Sequence, residues 1–90
     1  MSEKNLGIIG GGQLGSLLSV AARKLNIKTT VYSDDIDAPA QNFCNEFIFG
    51  KYDDKNKIQE FIKKVDVITF EFENIPYETL NEMNKLKPVL

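Results

Sequence analysis

Residues Leu6–Ser16 read LGIIGGGQLGS. Leu6 to Ile9 form a short apolar run ending in glycines, the profile of a strand buried on both faces. Gly10, Gly12 and Gly15 then satisfy G-x-G-x-x-G. A strand that turns sharply into a helix needs a residue with positive φ, and a helix lying close on a strand leaves no room for a side chain. The loop therefore predicts strand, turn and helix whether or not it holds a ligand. A helix starting near Gly12 also points its first N–H groups and the positive end of its dipole at whatever lies above. Many α/β folds share this motif, so function has to be read from what surrounds it.

Outward from the loop, the elements alternate. Leu14, Leu17, Leu18, Ala21, Ala22 and Leu25 recur at helical spacing and predict one apolar stripe facing the core. Arg23 and Lys24 suit the last turn, and Asn26 suits a left-handed cap. Ile27–Tyr32 (IKTTVY) is rich in β-branched residues and reads as a second strand. SDDIDAPAQ follows as a loop, with Pro39 opening a short helix that carries Ala40, Phe43 and Cys44. Glu46–Phe49 reads as a third strand. Asp53 or Asp54 caps a helix whose apolar face is Ile58, Phe61, Ile62 and Val65. Val65–Phe72 (VDVITFEF) reads as a fourth strand. Pro76 opens a last helix with Leu80, Met83 and Leu86 or Lys87, and PVL at the end reads as the start of a fifth strand. Parallel neighbours need right-handed crossovers, so the fold class is α/β: a Rossmann-like open parallel sheet, order 3-2-1-4, with helices on both faces.

Composition narrows the function. Ninety residues, 42% of them hydrophobic and 27% charged, make one ordinary globular domain. A formal charge of -2 with scattered lysines gives no basic footprint, so no nucleic-acid partner is expected. Cys44 is the single cysteine and the chain has no histidine. An internal disulfide is thus excluded, and neither a Cys–His nucleophile nor a zinc site is expected. Cys44 reads as a small buried apolar residue. No apolar signal core or membrane-length stretch occurs, so a soluble, cytoplasmic domain away from membranes is expected.

Two places test the loop for a dinucleotide. An acid at the end of the second strand should hold the ribose hydroxyls. Here Ser33 ends the strand, and Asp34, Asp35 and Asp37 follow in what reads equally well as a polar turn. The fourth strand discriminates better. In TFEFENIP, Phe70 and Phe72 share one face, Glu71 the other, and Glu73 and Asn74 lie just past the end. In order 3-2-1-4 strands one and four flank the topological switch point, where open α/β sheets bind ligands. Glu73 is then expected beside the glycine loop. A carboxylate there disfavours a pyrophosphate by about 1 kcal/mol or more. It suits an amine or N–H donor, and Gln13 adds both a donor and an acceptor. Glu73 reads equally as a solvated acid near the start of the last helix.

GIIGGGQLGSLLSVAARKLNIKTTVYSDDIDAPA (Gly7–Ala40) and the later VDVITFEFENIP together resemble the N-terminal domain of the 5-(carboxyamino)imidazole ribonucleotide synthase family, the ATPase subunit of phosphoribosylaminoimidazole carboxylase. The glycine loop alone is unspecific, but G-G-G-Q-L-G combined with F-E-F-E-N is not. The resemblance implies a single preATP-grasp (biotin carboxylase N-terminal-like) domain over residues 1–90, the ATP-grasp and C-terminal domains being absent. It implies an ATP-grasp ligase of purine biosynthesis. Such a ligase uses ATP and Mg²⁺ to activate bicarbonate as carboxyphosphate and carboxylates the exocyclic amine of 5-aminoimidazole ribonucleotide. ATP and metal would sit in the later domains, so this chain alone is expected to bind neither and to be inactive. Full-length members are commonly homodimers. By analogy with glycinamide ribonucleotide formyltransferase, the resemblance assigns substrate binding to Gly12, Gln13, Leu14 (through its backbone N–H) and Glu73. Ser16 stands where a basic residue is common in the family, and Ser33 where an aspartate usually closes the second strand. The competing expectation is a small NAD-binding Rossmann domain of an oxidoreductase.

Overall fold

A computed structural model describes residues 4–10 and 12–70 together with Asn81, Lys85 and Lys87; the side chains of Gln13 and Leu14 fall outside that description. The elements are β1 (Asn5–Ile9), α1 (Gln13–Lys24), β2 (Lys28–Ser33), a 3₁₀ turn (Pro39–Asn42), β3 (Glu46–Phe49), α2 (Lys55–Lys64) and β4 (Val67–Phe70). All strands are parallel and their order is β3-β2-β1-β4, as the alternation of elements predicts. The expected last helix and fifth strand, and Glu71 and Phe72 at the end of the fourth strand, lie outside the described residues or nearly so.

Successive residues of β1 serve opposite layers, which places helices on both faces of the sheet. Ile9 joins Tyr32, Ile48, Ile68 and the α2 residues Ile58, Phe61 and Ile62 in one core cluster. Ile8 joins Val31 and Ala40 in the other, with Leu6, Leu18, Cys44 and Phe47 packed against it. Helix α2 follows its sequence closely. Asp54 caps it by accepting a hydrogen bond from the Lys57 N–H at 3.1 Å, and Ile58, Phe61, Ile62 and Val65 are all buried. Each such side chain contributes about 1.5–3 kcal/mol on leaving water.

Helix α1 departs from expectation. Only part of its apolar stripe faces the core: Leu18 and Ala22 do, while Leu17 is 61% and Leu25 70% exposed, and Ala21 is exposed as well. The buried line is Gly15, Ser19 and Ala22, with Leu18 beside it. Ser19 hides its hydroxyl by donating to the Gly15 carbonyl at 2.9 Å, so a polar residue is buried without an unsatisfied group. The helix ends as a Schellman motif. Asn26 takes φ 60, its N–H reaches the Arg23 carbonyl at 3.0 Å, and the Ile27 N–H reaches Ala22 at 2.8 Å.

The helix expected from Pro39 is a single 3₁₀ turn, and Phe43 lies beyond it, 39% exposed. Cys44 is only partly buried, and burial pushes its thiol up from the ordinary range. Among the described residues no helix is long and apolar enough to cross a membrane.

Candidate functional site

β1 is central because β2 pairs on one side and β4 on the other. The chain leaves β1 toward β2 and returns to it through β4, so the switch point falls between β1 and β4 at their carboxyl ends. There Ile9 is in register with Phe70, and Phe70 is 37% exposed. The glycine turn starts one residue past Ile9.

That turn has the geometry its composition requires. Gly10 takes φ 102, a conformation L side chains rarely adopt, and its N–H donates to the Tyr32 carbonyl at 2.7 Å. Gly12 is the N-cap of α1, in extended conformation. Its carbonyl accepts the Ser16 N–H at 3.0 Å and the Ser16 hydroxyl at 3.1 Å. The first intrahelical bond thus falls at Ser16, so the helix itself makes no use of the Gln13 and Leu14 N–H groups. No acidic residue occupies the first turn, so the helix does not offset the positive end of its own dipole there.

Of the sequence-predicted site residues, Gly12 caps the helix and Gln13 and Leu14 are its first two residues. Glu73 lies outside the described residues, three positions beyond Phe70. The aspartates after β2 behave as turn formers. Ser33 is buried and its hydroxyl accepts the Asp35 N–H at 3.1 Å; Asp35 in turn accepts the Asp37 N–H at 2.9 Å. The strand that should offer a ribose diol its carboxylate ends instead in a buried, engaged serine. Among the described residues no group of three or more His, Cys, Asp or Glu could hold a metal ion.

Tyr32 was not legible as a site residue. Its place in IKTTVY signals only a strand former, yet it is fully buried under the rim of the crevice. Its ring packs against Tyr52 and edge-on to Phe61, with centroids 5.9 and 5.6 Å away. Its hydroxyl donates to the Lys51 carbonyl. Burial first, then the charges of Asp54, Asp53 and Asp34, push the phenol up to about 12, which keeps it protonated as a donor. An open cleft of about 210 Å³ lined by Arg23, Asn26, Ile27, Lys28 and Asn45 sits at the other end of the sheet, where β2 begins.

The ribonucleotide synthetase preATP-grasp domain model matches residues 3–90. The N5-carboxyaminoimidazole ribonucleotide synthase of Staphylococcus epidermidis is 40% identical over 81 residues, 90% of this chain and 22% of that protein. The crystal structure of N5-carboxyaminoimidazole synthetase from Staphylococcus aureus complexed with ADP superposes with a TM-score of 0.89 at 38% identity, over 96% of this chain and 24% of the other. The Aspergillus clavatus N5-carboxyaminoimidazole synthase, solved with ADP and 5-aminoimidazole ribonucleotide, gives 0.82 at 27% identity, over 97% and 23%. The chain thus spans less than a quarter of the length of these relatives.

Proposed function

Because this chain belongs to the ribonucleotide synthetase preATP-grasp domain family, we propose that it is the substrate-binding domain of an ATP-dependent ligase that carboxylates 5-aminoimidazole ribonucleotide with bicarbonate. The observation that carries this is the pairing of Ile9 with Phe70. It sets the end of β4 beside the glycine turn, and Glu73 follows on a three-residue tether, about 10 Å at full extension. Glu73 accepts a hydrogen bond from the amine or a ribose hydroxyl, while the Leu14 N–H and the Gln13 carboxamide hold the substrate from the turn. The carboxylate favours a donor-rich ligand and repels a diphosphate.

ATP with Mg²⁺, bound by parts of the protein other than residues 1–90, supplies the energy that activates bicarbonate. What this domain contributes is position: it holds the exocyclic amine in one orientation while its lone pair forms the C–N bond to the activated bicarbonate carbon, phosphate leaves and the amine gives up a proton. These ninety residues then bind the ribonucleotide without turning it over, and the whole protein works as a homodimer.

Calorimetric titration of 5-aminoimidazole ribonucleotide into the wild-type chain and Glu73→Gln tests this. A charge-assisted bond exchanged for a neutral one is expected to weaken binding about tenfold or more. Equal affinity in the two proteins would remove Glu73 from the site.

A further inference from the structure

We infer that Tyr32 is a positioning residue for the glycine turn, tying it to the turn that starts α2. Tyr32 meets both. Its backbone carbonyl accepts the Gly10 N–H at 2.7 Å, which holds the one residue of the loop seen with positive φ. Its hydroxyl donates to the Lys51 carbonyl, and that same carbonyl accepts the Asp54 N–H at 3.1 Å. Asp54 is the N-cap of α2. A single buried residue thus joins the starts of both helices at the carboxyl-end rim, through its backbone carbonyl on one side and its hydroxyl on the other. The space is closed from the far side as well: a Cβ on Gly50 would stand 2.6 Å from the Tyr32 hydroxyl. Tyr52 and Phe61 hold the ring, so the tyrosine has little room to tilt without carrying its own backbone with it.

This inference rests on the glycine turn being the substrate site, and its test separates the two. Tyr32→Phe keeps the ring and loses the hydroxyl bond; Gly50→Ala crowds the hydroxyl instead. Hydrogen exchange at the Gly10 amide, followed by NMR without ligand, is expected to quicken about tenfold in both, the weight of one ordinary hydrogen bond. Affinity for 5-aminoimidazole ribonucleotide should fall several-fold with it. Phe47→Leu, packed in the cluster on the opposite face, serves as the control for general destabilisation. At a matched loss of thermal stability it should leave Gly10 exchange unchanged. Unaltered Gly10 exchange in Tyr32→Phe, or an equal response in Phe47→Leu, would overturn the assignment. If the wild-type chain takes up no ribonucleotide while Gly10 still responds, the substrate reading fails and the coupling stands.

Discussion

Gly7 sits in the middle of β1, where glycine weakens a strand unless something needs the space. Something does: a Cβ there would stand 2.7 Å from Phe61 Cζ and 2.9 Å from Val65 Cγ1, both buried. Gly7→Ala is therefore expected to cost about 1–3 kcal/mol by overpacking, despite the better strand propensity of alanine. Thermal unfolding checks this, with a fall of at least about 4 °C expected and an unchanged midpoint as the contrary result. Nothing near Gly7 in the chain announces the contact, because the residues that fill the space lie a whole βαβα unit away. Gly10 and Asn26 were legible for the opposite reason. Their positive φ values answer local demands, a strand-to-helix turn and a helix end, which sequence spacing displays. The three aspartates after Ser33 left two readings open, and only the hydrogen bonds of Ser33 and Asp35 to the next amides decide for the turn.

At the scale of elements, α2 and α1 mark what periodicity can and cannot reveal. Large apolar residues on one face of α2 have no other place to go, so the face was readable and the cap was narrowed to Asp53 or Asp54, of which the structure selects Asp54. Asp54→Ala should remove the bond to the Lys57 N–H and cost about 1 kcal/mol, seen as a lower denaturant midpoint with an unchanged slope. A midpoint equal to wild type would mean that the cap contributes nothing. In α1 the stripe holds for Leu18 and Ala22 and fails for Leu17, Ala21 and Leu25, while Gly15 and Ser19 complete the buried line. The starting point of α1 is fixed by the glycine turn, and that phase turns Gly15, Ser19 and Ala22 inward and leaves Leu17 and the C-cap Leu25 outside. Hydrophobic spacing records which side chains are apolar; it does not record the phase at which the helix meets the sheet.

For the whole molecule, strand order was the most legible property, because alternation of strand and helix with right-handed crossovers leaves few arrangements. That order brings the ends of β1 and β4 together and so defines the crevice. The residues directly after Phe70 lie outside the described ones, and the place of Glu73 beside the crevice is a proposal from register and chain length. The central claim is that the glycine turn, built as in a dinucleotide fold, receives an amine-bearing ribonucleotide. Titrating the ¹⁵N-labelled chain, first with 5-aminoimidazole ribonucleotide and then with NAD, tests it most directly. Saturable movement of the Gly12, Gln13 and Leu14 amide resonances is expected with the ribonucleotide and none with NAD. Movement with NAD alone, or with neither, would contradict it.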